Sequence, residues 1–176
     1  MIYYALLKGI NVTGNKTIKM AELKAMMEKL GFKNVRTYIQ SGNVVFESTA
    51  KAEAVKKKIE NGISGTFGFK VTVVIRSRAE MEKLVKEYPF SKVKGHTECK
   101  ISAGFLESVP EKALVKELES HSSDLEIIKV FGDNLYHLCR GNFSDSQVFK
   151  KNLPEKILKI NCTIRNWNTV NKLLEI

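Results

Sequence analysis

A loop near the start of the chain, residues 9–17, resembles a phosphate-binding loop in composition and order. The phosphate-binding motif needs two glycines separated by four residues, followed at once by lysine and then by serine or threonine. Here Asn15 stands between Gly14 and Lys16, so the lysine is out of register with that motif. The loop therefore does not predict a nucleoside triphosphate site.

A looser anion site at the same loop is one of two interpretations that the sequence supports equally. Gly9, Asn11, Gly14 and Lys16 come just before a predicted helix, whose first N–H groups favour an anion. A long connecting loop that uses glycine and asparagine for positive φ would contain the same residues.

A second group of polar residues lies in residues 38–46, Tyr-Ile-Gln-Ser-Gly-Asn-Val-Val-Phe. Ser41, Gly42 and Asn43 are typical of a turn, because glycine supplies backbone freedom and the other two side chains form local hydrogen bonds. Tyr38 and Gln40 are not explained by the turn, and their spacing places them on one face of a strand. They are the functional candidates in this segment.

The third group lies in residues 163–170, around the single tryptophan of the chain. Asn166 or Asn168 is a good helix cap, and Trp167 is typical of a packing residue. Arg165 is harder to explain by packing, since a guanidinium beside an indole suits stacking or a bidentate oxyanion contact. The three histidines are scattered, so neither a catalytic triad nor a metal site is predicted, and His137 is interpreted as structural.

The elements that must position these residues follow from periodicity. The first half predicts the order β-α-β-β-α-β, beginning with a strand over residues 2–7 that is buried on both faces. The second half repeats this element order as far as its second helix and then continues into short C-terminal helices. Capping boxes at Ser77 with Glu80 and at Ser108 with Glu111 predict two helix starts.

The predicted fold class is therefore α+β, with two tandem ferredoxin-like (βαββαβ) subdomains packed as one body. The first, basic subdomain is predicted over residues 1–77. The second, with the C-terminal helical extension, is predicted over residues 78–176.

Charge and composition restrict the class of partner. The 176 residues carry a formal net charge of +10, of which +8 belongs to residues 1–77 and +2 to residues 78–176. Such a first half attracts nucleic acid or a phosphorylated small molecule, although lysine-rich helices can also serve solubility alone. The start of the chain resembles no signal peptide, no apolar run predicts a membrane span, and three widely spaced cysteines favour a reduced cytoplasmic protein.

Together, the blocks at residues 8–12, 19–20, 37–46 and 163–170 resemble the bacterial family catalogued as domain of unknown function 1697. Many relatives have arginine where this chain has Lys8 and glycine where it has Thr13. The resemblance covers essentially the whole chain and implies an α+β fold with ferredoxin-like halves. It implies no activity.

The leading functional hypothesis is a cytoplasmic protein that binds an anionic ligand, either nucleic acid or a phosphorylated small molecule, at the loop of residues 9–19. One alternative is an enzyme that acts on a small anionic substrate between the subdomains, and another is an interaction module in which these motifs are structural. No cofactor or metal is predicted, and the sequence specifies neither catalytic residues nor an oligomeric state. The candidate ligand-binding residues are Gly9, Asn11, Lys16, Lys19, Tyr38, Gln40, Asn43 and Arg165.

Overall fold

The computed structural model describes residues 1–12, 14 and 16–176. Two residues that differ from the expected motifs lie outside the described residues. They are Thr13, where many relatives have glycine, and Asn15, which separates Gly14 from Lys16. The chain divides into two compact units, one formed by Met1–Lys83 with Lys172–Ile176 and the other by Leu84–Asn171. The boundary expected after residue 77 stays a prediction.

The first unit contains a four-stranded antiparallel sheet and its covering helices. In chain order its elements are β1 (Ile2–Leu7), α1 (Met20–Lys29), β2 (Lys33–Tyr38), β3 (Asn43–Glu47), α2 (Ala52–Phe67) and β4 (Val73–Ser77), and α3 (Arg78–Lys86) follows. The strand order in the sheet is β2-β3-β1-β4.

The central strand β1 is buried on both faces, as its continuous apolar sequence predicted. Its alternate residues Tyr3, Ala5 and Leu7 belong to a core that also contains side chains of α1 and α2. The intervening residues Tyr4 and Leu6 point to the opposite face and are also fully buried. Neither face of this strand is therefore exposed to solvent.

The second unit contains another four-stranded antiparallel sheet. Its elements are β5 (Lys100–Leu106), α4 (Lys112–Glu119), β6 (Glu126–Phe131), β7 (Asn134–Cys139), α5 (Gln147–Lys150), α6 (Leu153–Leu158) and β8 (Cys162–Asn166), and α7 (Trp167–Glu175) begins in this unit. The strand order is β6-β7-β5-β8, which repeats the pattern of the first sheet. The prediction of a mixed α+β fold with a repeated strand pattern is thus confirmed.

One of the two predicted capping boxes is present. The backbone N–H of Ser77 donates to a carboxylate oxygen of Glu80 over 2.7 Å, and the N–H of Glu80 donates to the Ser77 hydroxyl over 3.3 Å. The box at Ser108 is wrong, because the backbone is still extended at Glu111 and α4 begins at Lys112. Pro110 disfavours helical conformation in the residue before it, so a helix does not start at Ser108.

Among residues 1–12, 14 and 16–176, no helix has both the length and the hydrophobicity needed to cross a bilayer. The same described residues contain no group of three acidic, histidine or cysteine side chains arranged for a metal ion. All three cysteines are free thiols.

Candidate functional site

The loop between β1 and α1 is organised by the side chain of Asn11. Its amide nitrogen donates to the carbonyl oxygens of Ile18, over 2.9 Å, and of Gln40, over 2.7 Å. Its amide oxygen accepts the backbone N–H of Ile18 at 2.9 Å. Asn11 itself has a φ of 56°, a conformation that asparagine tolerates better than most residues. The amide of Asn11 therefore closes the loop and joins it to the turn after β2.

The turn between β2 and β3 packs directly on this loop at Gly42. The backbone N–H of Leu7 donates to the Gly42 carbonyl over 2.9 Å. Gly42 has a φ of 75°, and a Cβ at this position would lie 2.7 Å from Cδ1 of Ile10 and 2.8 Å from Cβ of Leu7. Both the conformation and the close approach require glycine here.

The polar residues of the same turn bond to one another. The buried amide of Asn43 donates to the carbonyl of Tyr38 over 3.0 Å and to the hydroxyl of Ser41 over 2.9 Å. Phe46 lies on the face of the sheet opposite to Asn43. It is buried in the core against Phe32, at a ring-centroid distance of 4.8 Å. Phe46 therefore cannot stack on a nucleic-acid base, whereas Tyr38 is half-buried.

Four lysines surround the loop, and we call Lys8, Lys16, Lys19 and Lys70 the lysine corner. The ammonium group of Lys16 donates to the carbonyl of Lys70 over 3.0 Å, and the N–H of Lys8 donates to the carbonyl of Thr72 over 2.9 Å. These two bonds bring the loop of residues 8–19 beside the start of β4. Lys16, Lys19 and Lys70 are exposed, and Lys8 is half-buried.

The sequence segments around the lysine corner are poor in acidic residues. Residues 1–21 and 61–79 contain neither aspartate nor glutamate. At the start of β4, the carboxylate of Glu60 accepts the backbone N–H of Val73 at 2.9 Å. The carboxylate of Glu22 lies 3.6 Å from the Lys19 ammonium on the exposed surface. An exposed pair of this kind contributes little, so the local field stays positive. The backbone at the N-cap residue of α1, Lys19, is extended and has no side-chain capping bond, so the first turn adds to this field.

Seven of the eight predicted site residues belong to the first unit, and hydrogen bonds join the loop that carries Asn11 to the turn that carries Gln40. Arg165 belongs to the second unit, where β8 positions it with 6% exposure. Its Nη1 donates to the Thr163 hydroxyl and to the Ile164 carbonyl, each over 2.9 Å. Burial lowers the pKa of Arg165 to about 10, which still leaves the guanidinium charged at neutral pH.

Arg76 is the residue of the first unit that corresponds to Arg165, and we did not predict it from the sequence. It occupies the last strand of the first unit, is 5% exposed, and its Nη1 donates to the carbonyl of the preceding residue, Ile75, over 3.1 Å. Both arginines follow an isoleucine and precede the polar residue that ends their strand, and a helix begins at the residue after that. The signal was present in the sequence as a repeated Ile-Arg-polar triplet before a helix.

A second missed feature is a buried polar network in the second unit. One carboxylate oxygen of Glu126 accepts Nε2–H of His137 at 2.8 Å and the Ser146 hydroxyl at 2.5 Å, and the other accepts the backbone N–H of Gln147 at 2.8 Å. The His137 ring packs edge-on against Phe149 at 4.5 Å between centroids. The carboxylate lies between the imidazole and the hydroxyl, so the imidazole cannot act as a base on Ser146 as in a hydrolase triad.

The protonation states in this network follow from burial and hydrogen bonding. Burial raises the pKa of Glu126, but the hydrogen bonds from Ser146, His137 and Gln147 outweigh it and lower the pKa overall. Burial lowers the pKa of His137, and the adjacent Glu126 carboxylate only partly opposes that effect. At neutral pH the pair is therefore a neutral imidazole that donates to an ionised carboxylate.

A family model described as protein of unknown function (DUF1697) matches residues 1–136. The chain belongs to this family. The DUF1697 match covers the loop, the lysine corner and Glu126, and it ends before Arg165 and the block at residues 163–170. The family resemblance seen in the sequence is thus confirmed over the first three quarters of the chain.

The fold of this DUF1697 member is similar to that of a solved structure. A conserved bacterial protein from Streptococcus pneumoniae superposes with a TM-score of 0.79 at 24% sequence identity, covering 99% of this chain and 96% of that protein. At this level of identity the likeness concerns the fold alone. No curated protein matches the chain.

Proposed function

We propose that this protein binds a phosphate-bearing anion at the lysine corner. The proposal rests on three observations: Lys16, Lys19 and Lys70 are all exposed, the Lys16 ammonium donates to the Lys70 carbonyl over 3.0 Å, and the sequence segments around these lysines contain no acid. Lysine ammonium groups bind phosphate as point charges. Recognition here therefore depends on charge and not on the bidentate geometry of an arginine guanidinium. The loop is closed by Asn11, which reduces the conformational entropy lost on binding.

The chemistry at this corner favours phosphate over bases. In the sheet of the first unit, Tyr4 and Phe46 are buried on opposite sides, and Tyr38 is half-buried. A nucleic acid would therefore be held by its backbone and not by stacked bases. A phosphorylated small molecule would use the same lysines, and the source of the phosphate is left to the experiment.

We further propose that each unit is a ferredoxin-like subdomain and that the protein works in the cytoplasm. The repeated strand order, with each unit's first strand in the middle of its sheet, supports the first statement. The three free thiols support a reducing compartment.

The test is a binding assay with labelled single-stranded RNA of roughly ten nucleotides, a length within the range of single-strand sites. Inorganic pyrophosphate serves as the competitor that lacks bases and sugar. We expect the double variant Lys16→Gln with Lys70→Gln to weaken binding about tenfold, at roughly threefold for each exposed lysine contact. The slope of log affinity against log salt should be about −2 for three phosphate contacts on a single strand.

The matched control removes the same charge elsewhere in the first unit. Lys51→Gln with Lys57→Gln changes two exposed lysines at helix α2, and we expect affinity within about twofold of the wild type, since screened charges act over about 10 Å. Binding of RNA alone or of both probes supports a phosphate ligand and identifies its source. Equal affinity of the corner variant and the wild type, or no binding of either probe, contradicts the proposal.

One observation favours the alternative that the motifs around Asn11 and Asn43 serve only to hold the structure together. Both functional groups of the Asn11 amide are used in bonds within the protein, as is the amide of Asn43. If neither probe binds, these residues serve to fasten the loop to the turn. Replacing Asn11 would then lower stability and change no ligand affinity.

A further inference from the structure

A cavity of about 480 Å³ in the second unit lies beside two half-buried aromatic rings. Tyr88 follows α3, and Trp167 is the first residue of α7. Their ring centroids are 4.9 Å apart and the ring planes are inclined by 37°. The volume is within the usual range for small-molecule sites, which is roughly 300–1,000 Å³.

Buried aromatic residues hold these two rings in place. Tyr88 meets Phe90 edge-on at 5.6 Å, and Phe90 is almost fully buried. Trp167 packs 6.3 Å from Tyr136, whose hydroxyl donates to the Leu84 carbonyl over 3.0 Å. Both rings are thus fixed from behind while they line the cavity, so a planar ligand could contact them with little loss of side-chain entropy.

The remaining lining is polar and suits the edge of a heterocycle. Nδ1 of His96 lies 3.1 Å from the Val93 carbonyl and donates to it, which leaves Nε2 for a ligand. Asn166 and Asn168 also line the cavity, and the Asn166 amide oxygen accepts the backbone N–H of Asn168 at 2.9 Å. The Asn166 NH2 group retains its donor character. An imidazole nitrogen and an amide donor beside an aromatic wall match the hydrogen-bonding edge of a nucleobase.

One exposed cation, Lys100, and one exposed carboxylate, Glu98, complete the lining. Lys100 begins β5 at the rim of the cavity, next to the half-buried thiol of Cys99, which donates to the Gly95 carbonyl over 3.2 Å. An ammonium group in this position can bind one phosphate without the charge density of the lysine corner. The ring wall and the cation therefore favour a ligand with one aromatic part and one anionic part.

We propose that this cavity binds a purine nucleotide, with the base against the wall of Tyr88 and Trp167 and the phosphate at Lys100. The site is separate in sequence and in residues from the lysine corner, and the proposal does not depend on that corner. The proposal also gives Trp167 a role in ligand binding, beyond its packing at the start of α7.

The test uses Trp167, the one tryptophan of the chain, as a local reporter. Its fluorescence is excited at the red edge of its absorption and followed during titration with AMP, adenosine and ribose 5-phosphate, with free tryptophan amide correcting for absorption by the ligand. We expect saturable quenching by AMP and adenosine and none by ribose 5-phosphate. AMP should bind about fivefold tighter than adenosine, as expected for one exposed charge contact.

Three variants make the test specific. Tyr88→Leu should weaken AMP binding at least about tenfold, the lower range for loss of one stacking ring, while Tyr88→Phe should retain it. Lys100→Gln should abolish the preference for AMP over adenosine, and Lys112→Gln, an exposed lysine on α4, should not. If Tyr88→Leu fails to fold, Tyr88→Phe and Lys100→Gln still decide between the outcomes.

The proposal is overturned if no nucleoside or nucleotide quenches saturably, or if Tyr88→Leu is folded and binds AMP as the wild type does. The lysine-corner double variant should leave this quenching unchanged. Failure of phosphate binding at the corner and failure of nucleotide binding at this cavity are therefore measured separately.

Discussion

The amide nitrogen of Asn11 donates to the carbonyl oxygen of Gln40 over 2.7 Å, across 29 residues of chain. The same amide also bonds to both backbone groups of Ile18. Two loops that the sequence presents as separate blocks are thus one structure, with Asn11 at its centre. The position of the lysine corner depends on this contact.

The first prediction concerns the side chain that closes the loop. Asn11→Ala removes three hydrogen bonds and places alanine at a positive φ, so we expect unfolding free energy to fall by about 2–4 kcal/mol. Asn34→Ala is the matched control, because Asn34 also has a positive φ, of 51°, but its amide makes one exposed bond, to Glu47. Urea denaturation should give a clearly smaller loss for Asn34, and equal losses would show that the Asn11 bonds contribute nothing.

The second prediction separates steric conflict from backbone strain at Gly42. A Cβ at Gly42 would meet Ile10 and Leu7 at under 3 Å, whereas nothing lies within 4 Å of one at Gly68, which has a similar φ of 79°. Gly68→Ala should therefore lower stability by about 1–2 kcal/mol, the strain of a left-handed residue, and Gly42→Ala by at least about 1 kcal/mol more. Thermal and urea unfolding measure both, and similar values for the two would contradict the packing seen at Gly42.

The third prediction is a pH dependence caused by His137. Its pKa is lower in the folded than in the unfolded protein, so the unfolded chain binds the proton more readily. The stability is therefore fully present above the ordinary histidine pKa of about 6.5 and decreases as pH falls below it. The slope cannot exceed about 1.4 kcal/mol per pH unit, the limit for one proton. Glu126, whose pKa is also lowered, adds loss in the same direction below about pH 4.3.

The control for the pH experiment is an exposed histidine. His137→Gln retains a donor for Glu126 but cannot titrate, so it should remove the slope that begins below about pH 6.5. His121→Gln, on the surface after α4, should leave that slope as in the wild type. An unchanged slope in the His137 variant would assign the pH dependence to other groups.

The fourth prediction distinguishes structure from binding at Arg165. Arg165→Ala leaves a cavity and removes the donor to Thr163 and Ile164, so we expect a loss of about 2–4 kcal/mol in unfolding free energy. Arg140→Ala, which removes an exposed arginine bonded to the Lys94 carbonyl, should cost less than about 1 kcal/mol. Affinity for pyrophosphate at the lysine corner should stay within about twofold in both variants. A selective loss of that affinity in Arg165→Ala would place Arg165 in the ligand site.

Local features were predictable because the interactions that produce them span only a few residues. The box of Ser77 and Glu80 was read correctly, since the bonds connect residues three apart. The similar box at Ser108 failed because Pro110 and an extended Glu111 delay the helix, and a spacing rule does not include that effect. Gly42 was correctly placed in a turn, but its steric requirement comes from Ile10 and Leu7, far away in sequence.

By itself, the sequence determined the strand and helix order, the buried central strand, the basic first half and the family. Periodicity, capping and composition are local or additive, so they can be read along the chain. Only the tertiary structure decided that Asn11 meets Gln40, that Glu126 joins His137 to Ser146, and that Tyr88 and Trp167 line one cavity. These contacts depend on how the strands pair and the loops close, and no local energy term specifies that pairing.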